Sequence, residues 1–144
     1  MIVDANLLLY AVDESAAQHD AANTWLEQVL NGSVQVGLPW PSLLAFVRIA
    51  THPRVSRRPL TSNVAWAMVD SWLAAPTAWI PLPTAQHADV LAGLVNSYGL
   101  TGNLIPDAHL AALAIEHGVT LCSADTDFAR FAAVRWENPL RPGG

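Results

Sequence analysis

The chain contains no lysine, and its seven basic side chains other than histidine are all arginines. That absence excludes P-loop nucleotide hydrolysis, Schiff-base chemistry and the receiver-domain phosphorylation switch, each of which needs a lysine. There is one cysteine, Cys122, inside an apolar run, so no internal disulfide forms and a reduced, cytoplasmic setting is expected. No stretch of about eighteen apolar residues occurs, so no membrane-spanning helix is expected. No basic segment precedes the first apolar run and an acid arrives at position 4, so no signal peptide is expected either. Charge is scarce: 13% of the residues are charged and 52% hydrophobic, against a usual charged share of about 25%. A chain so composed has few polar side chains with which to cover itself, and an apolar patch covered by a partner is expected. The net charge of −5 argues against a protein that coats nucleic acid by bulk charge, while leaving room for a local basic surface. The 144 residues are expected to form one domain over 1–144, with no repeat, linker or low-complexity tract.

Apolar periodicity gives an alternation of strands and helices. "MIV" reads as a short buried strand, and "ANLLLYAV" either extends it or begins a helix. "SAAQHDAANTWLEQVLNG" is amphipathic at helical spacing through Ala22, Trp25, Leu26, Val29 and Leu30, with Gly32 as its stop. "SVQVGL" alternates as a strand. "PSLLAFVRIATHP" is a helix with Pro41 in its first turn, and "LTSNVAWAMVDSWLAAP" is another, entered through Thr61 or Ser62. "AWIPLP" is a short strand and "TAQHADVLAGLVNSYG" a helix. "IPDAHLAALAIEHG" is a helix opened by Pro106 and Asp107 and closed by Gly118. "VTLCSAD" is a buried strand, "TDFARF" a helical turn and "VRWENP" a last strand, and the closing "RPGG" is expected to fray. This order predicts an α/β sandwich on a mainly parallel sheet.

In such sheets ligands collect beyond the carboxyl ends of the strands. Asp4 follows the first strand. Asp125 follows "VTLCS", with Asp127 two residues on, and Asp107 lies at a helix start. Each has an ordinary alternative: Asp107 as a helix cap, Asp125 and Asp127 as turn residues, the latter capping "FARF". Asp4 has the fewest ordinary reasons to stand between two apolar runs. Gathered in one crevice, these carboxylates repel one another unless a cation compensates them. Hard oxygen ligands suit Mg²⁺, with Mn²⁺ as the alternative. The matching chemistry is metal-assisted hydrolysis of a phosphodiester.

The segments "VDAN", "IPDAHLAALAIEHG" and "SADTDFARF", in this order and spacing, resemble those of the PIN-domain ribonucleases, and more narrowly the VapC-type toxins of bacterial toxin–antitoxin pairs. The likeness extends to "FVRIATHPRV" and the closing "RWENPL". It implies a three-layer α/β/α fold and a magnesium-dependent endoribonuclease, usually dimeric, silenced by a cognate antitoxin that inserts into its groove. It also implies that Asp4, Asp107 and Asp125 form the catalytic and metal-binding site, with Asp127 as a flanking acid, Asn6 supporting Asp4, and Ser123 as the hydroxyl before the last acid. One position departs from the family: a glutamate expected at the start of the second large helix aligns with Pro41, and neither Glu14 nor Glu27 is an obvious replacement. The resemblance as a whole implies an endoribonuclease toxin; the alternative, because Pro41 stands where the glutamate is expected, is a catalytically weakened PIN domain that binds antitoxin and RNA but cleaves poorly.

Arg48, Arg54, Arg57 and Arg58, with His52, cluster in "RIATHPRVSRR". The cluster is either a solvated helix end and loop or a rim that binds RNA phosphates, since arginine forks match phosphate oxygens. Of the six tryptophans, most are expected in the core, with base stacking or a dimer contact open to one or two. His109 and His117 lie on one helix without an HExxH pattern, so no zinc site is expected. Ser42 and Ser123 lack a nearby His–Asp arrangement, so no serine hydrolase is expected.

Overall fold

The computed structural model describes residues 1–141. Pro142, Gly143 and Gly144 of the tail expected to fray lie outside the described residues. In chain order the elements are β1 (Ile2–Val3), α1 (Ala5–Val12), α2 (His19–Leu30), β2 (Val36–Gly37), α3 (Trp40–Ala50) and α4 (Ser62–Leu73). They continue with β3 (Ala78–Trp79), α5 (His87–Tyr98), α6 (Leu104–His117), β4 (Leu121–Cys122), a 3-10 turn at Thr126–Arg130, and β5 (Trp136–Glu137). No helix of the described residues is long and apolar enough to cross a membrane.

All strand pairings are parallel, in the order β3-β2-β1-β4-β5. The alternation of side chains along each strand divides the core in two. Val3 and Cys122 point into a cluster with α1, α2, α3 and α4, through residues such as Leu7, Leu26, Phe46 and Trp72. Ile2 and Leu121 point the other way, into a cluster with α5, α6 and the 3-10 turn, through Leu94, Leu113 and Phe128. Helices therefore cover both faces, giving three α/β/α layers.

Several boundaries move from their expected places. "ANLLLYAV" is helical because the Asp4 carboxylate caps it, accepting from the Ala5 N–H at 2.7 Å. The stretch before α2 is a turn, where the Asp13 carboxylate takes the Ser15 N–H and hydroxyl, so α2 begins only at His19. α6 begins at Leu104, before Pro106, which sits in the first turn where its missing N–H costs nothing. The strands are shorter than the apolar runs around them. In "SVQVGL" only Val36 and Gly37 pair, and a Cβ on Gly37 would meet the Met1 carbonyl oxygen at 2.8 Å and Pro81 at 3.0 Å. β2 is thus clamped between its neighbours at a residue with no side chain. Gly118 ends α6 as expected, with a left-handed φ of 65°.

Candidate active site

The chain builds β1, β2 and β3 outward in one direction, then crosses back to place β4 and β5 on the other side of β1. The reversal falls between β1 and β4, and the region beyond the carboxyl ends of those two strands is where such sheets gather ligands. Asp4 leaves β1 into it. Ser123, Ala124 and Asp125 leave β4 into it.

Ser123 is fully buried and joins the two strand ends. Its hydroxyl donates to Asp4 Oδ2 at 2.7 Å and accepts from Asn6 Nδ2 at 3.1 Å and from the Asp125 N–H at 3.0 Å. One proton and two lone pairs are all used. Asn6 completes the knot: its Nδ2 lies 3.4 Å from Asp4 Oδ2, and its Oδ1 accepts the Ala124 N–H at 3.2 Å. Asp4 is therefore held by Ala5, Ser123 and Asn6 before any ligand arrives. Burial raises its pKa and the Asp125 charge adds to that, while the bonds from Ser123 and Ala5 oppose the rise.

α6 brings Asp107 to the crevice. It is not the helix cap that its position suggested, because α6 starts at Leu104 and Asp107 lies one turn in. Asp125, rather than Asp127, caps the following 3-10 turn, its Oδ1 accepting the Asp127 N–H at 2.9 Å. Carboxylate oxygens of Asp107, Asp125 and Asp127 all fall within 4.8 Å of one another. Asp4 is not part of this close trio, but its charge reaches Asp107. Burial first, then Asp125, Asp4 and Asp127, push the Asp107 pKa up to about 6, with Arg130 pulling against them. Arg130 sits 3.3 Å from Asp127 in an exposed pair, which solvent weakens. Four acids thus share one crevice, and their mutual repulsion is what a divalent cation relieves. The donor set is all oxygen, from several carboxylates, which fits Mg²⁺ or Mn²⁺.

The flanking acid Asp127 therefore joins Asp107 and Asp125 in one close trio, a grouping that sequence spacing alone does not reveal. α3, WPSLLAFVRIA, contributes no acid, and Pro41 is exposed in its first turn. Arg48 is exposed on α3, and Arg54, Arg57 and Arg58 are exposed in the turns that follow. None of the four has a carboxylate partner within 4 Å among the described residues. His52 is spent locally, its Nδ1 accepting the Arg54 N–H. His109 and His117 lie elsewhere. His109 meets His87, which pairs with buried Glu116 at 2.6 Å, while His117 bonds the Leu82 carbonyl. The buried Ser42 hydroxyl has no hydrogen-bond partner among the described residues.

A family model described as PIN domain matches residues 1–134. Ribonuclease VapC37 of Mycobacterium tuberculosis is 49% identical over 138 residues, covering 96% of each chain. Ribonuclease VapC33 of the same organism is 42% identical over 141 residues, covering 98% of this chain and 99% of its own. Among solved structures, VapBC2 from Rickettsia felis, bound to a DNA fragment from its promoter, aligns with a TM-score of 0.69 at 20% identity over 95% of this chain and 96% of that one. FitAcB from Neisseria gonorrhoeae aligns with a TM-score of 0.64 at 20% identity, covering 96% of each. The chain belongs to the PIN-domain family, among the relatives that carry the name VapC ribonuclease.

Proposed function

We propose that this chain, acting as one domain over residues 1–144, is a divalent-metal-dependent endoribonuclease, the toxin of a cytoplasmic toxin–antitoxin module. The observation that carries this is the gathering of Asp4, Asp107, Asp125 and Asp127 at the topological switch point of a parallel sheet. The relatives' names supply the substrate class, RNA.

Asp4, Asp107 and Asp125 would hold Mg²⁺ or Mn²⁺, with Asp127 flanking them. The bound ion supplies a water of lowered pKa and a counter-charge for the phosphate. Ser123 and Asn6 fix the Asp4 carboxylate, so that it needs no reorientation on binding. Hydrolysis at this site would join a water oxygen to phosphorus as the ester P–O bond breaks, with the water's proton going to the departing oxygen. Arg48, Arg54, Arg57 and Arg58 would hold backbone phosphates away from the reacting one.

An antitoxin partner fits the low charge of the chain and an apolar groove of about 550 Å³ between α1, α2 and α4, lined by Leu26, Met68 and Trp72 with Glu14 and His19. VapBC2 is the complex of a relative of this fold. A homodimer would cover further apolar surface. Because α3 offers no acid, a second reading keeps the same binding but makes cleavage slow, with Pro41 standing where a further ligand belongs.

The test is incubation of the full chain with mixed single-stranded RNA in Mg²⁺, in Mn²⁺ and in EDTA, beside Asp4→Asn. Cleavage that needs the metal and is lost in the variant supports the nuclease. RNA binding without cleavage supports the slower reading. Cleavage that persists in EDTA, or in Asp4→Asn, overturns the site.

A further inference from the structure

Trp40 and Trp66 pack their indoles together, with ring centroids 6.3 Å apart and planes 11° from parallel. Both stay open to solvent, at 36% and 41% exposure. This is an unusual place to leave two of the largest apolar side chains, and neither belongs to either core cluster. Their position is set by the sheet. Ile2 of β1 is level with Gly37 of β2, and two residues beyond each stand Asp4 and Pro39, the N-caps of the helices that follow the two strands. Trp40 is the residue after Pro39. The aromatic pair therefore begins at the same carboxyl edge of the sheet as Asp4.

What lies along α3 from Trp40 indicates the ligand. Leu44 and Arg48 follow at one-turn intervals, and both are exposed. Arg48 comes eight residues after Trp40, about 12 Å along the helix, and it has no carboxylate partner within 4 Å among the described residues. α3 carries no acid, and α4 carries only Asp70. A flat π surface with a free guanidinium two helical turns away matches single-stranded RNA, in which a base stacks on an aromatic ring while the backbone phosphates meet arginine. An acidic peptide would use the arginine but not the stacked rings, and an apolar peptide would use the rings but not the arginine.

We propose that the Trp40–Trp66 pair is a stacking platform for an unpaired nucleobase of the RNA, with Arg48 taking a phosphate of the same strand. The platform rests on the ribonuclease reading above and adds a subsite to it: one nucleotide near the scissile bond is gripped by its base, in any sequence, because every base has a π face.

The test uses the full chain and a single-stranded oligoribonucleotide of mixed sequence, with affinity read by fluorescence anisotropy in Ca²⁺ and the oligonucleotide checked by gel to be uncut after each titration. Each position of the oligonucleotide is replaced in turn by an abasic residue. One position should cost the wild-type protein about five- to a hundredfold in affinity, the range for loss of one stacked base. Trp40→Leu should weaken binding of the intact oligonucleotide by a similar factor and remove most of the abasic penalty. Trp66→Phe, which keeps a ring, should retain most of the affinity, and circular dichroism checks that both variants fold. The abasic scan needs no variant, so a misfolded Trp40→Leu does not spare the proposal. If no abasic position costs affinity, the platform is overturned, whatever the variants do. If Trp40→Leu instead changes the sedimentation coefficient or antitoxin binding while oligonucleotide affinity holds, the pair is a protein interface and the proposal also fails. Cleavage of unmodified RNA in Mg²⁺ by the same preparation separates the two levels. A cleaving protein with no abasic penalty loses the platform alone, and a protein that neither binds nor cleaves RNA loses the nuclease reading and the platform with it.

Discussion

Asp107 is the residue whose environment most determines the behaviour of the crevice. Its carboxyl is pushed up to about 6, from the ordinary aspartate value of 3.8, by burial and by three acid neighbours. A raised acid pKa means the folded chain binds that proton more tightly than the unfolded chain does. Its contribution to stability is therefore greatest below pH 3.8 and declines as pH rises to about 6. Without metal, Asp107→Asn should stabilise the protein at pH 7. With partial solvent screening counted, the gain is about 1 kcal/mol, or roughly 2–4 °C in Tm. The difference between variant and parent should shrink at pH 4, and calorimetry at the two pH values measures it. The same substitution should weaken Mn²⁺ binding in isothermal titration. Ser123→Ala makes a separate prediction. It leaves Asp4 Oδ2, Asn6 and the Asp125 N–H short of a partner in a buried place, so it should cost about 1–3 kcal/mol in urea unfolding. Cys122, by contrast, has its thiol pushed up to about 12 by burial and should resist alkylation at pH 8 until the chain unfolds.

At the scale of elements, α5 and α6 are joined by a part-buried chain of polar groups. The Thr84 N–H and hydroxyl both donate to Glu116 Oε1, Glu116 Oε2 meets His87 Nδ1, and His87 Nε2 meets His109 Nδ1. These bonds and the His87 pairing draw the Glu116 pKa down against its burial. Glu116→Leu should destabilise the fold by about 1–3 kcal/mol, because it strips the Thr84 N–H, the Thr84 hydroxyl and His87 Nδ1 of their partner at once. Because Asp107 rides on α6, Mn²⁺ affinity should drop alongside Tm in that variant, which a titration on the folded fraction detects. Pro41→Glu probes the start of α3. If position 41 is the absent ligand site, cleavage should rise about ten- to a hundredfold and need less Mg²⁺. An unchanged rate in a protein that melts normally removes position 41 from the site. These elements also mark what was legible in advance. Helical periodicity and the Pro and Gly punctuation located the helices that follow Asp13, and the strand-end acids pointed to one crevice. What stayed hidden was tertiary. Whether "ANLLLYAV" continued a strand depended on the Asp4 side chain turning back to cap it. The Glu116–His87–His109 chain joins residues on two helices, and no local pattern announces it. The Trp40–Trp66 stack depends on how α3 crosses α4.

At the scale of the whole molecule, the four acids repel one another, and a divalent ion bound among them would relieve that repulsion. Mn²⁺ at a hundred times its dissociation constant should stabilise the protein by about 2.7 kcal/mol, seen as a rise in Tm that vanishes in Asp4→Asn. Equal shifts in the two proteins would place the ion elsewhere. The reversal of strand order has a further consequence, and it concerns time. Asp4 precedes Ser123, Asp125 and Asp127 by more than a hundred residues, and β1 finds β4 only across the 118 residues between Val3 and Cys122. A chain released before β4, or cut in two and separated, keeps Asp4 without the hydroxyl that holds it or the acids that complete the crevice. The cell that makes this protein therefore meets the assembled acid site only after β4 has been made and paired with β1, when a partner already at hand can cover it.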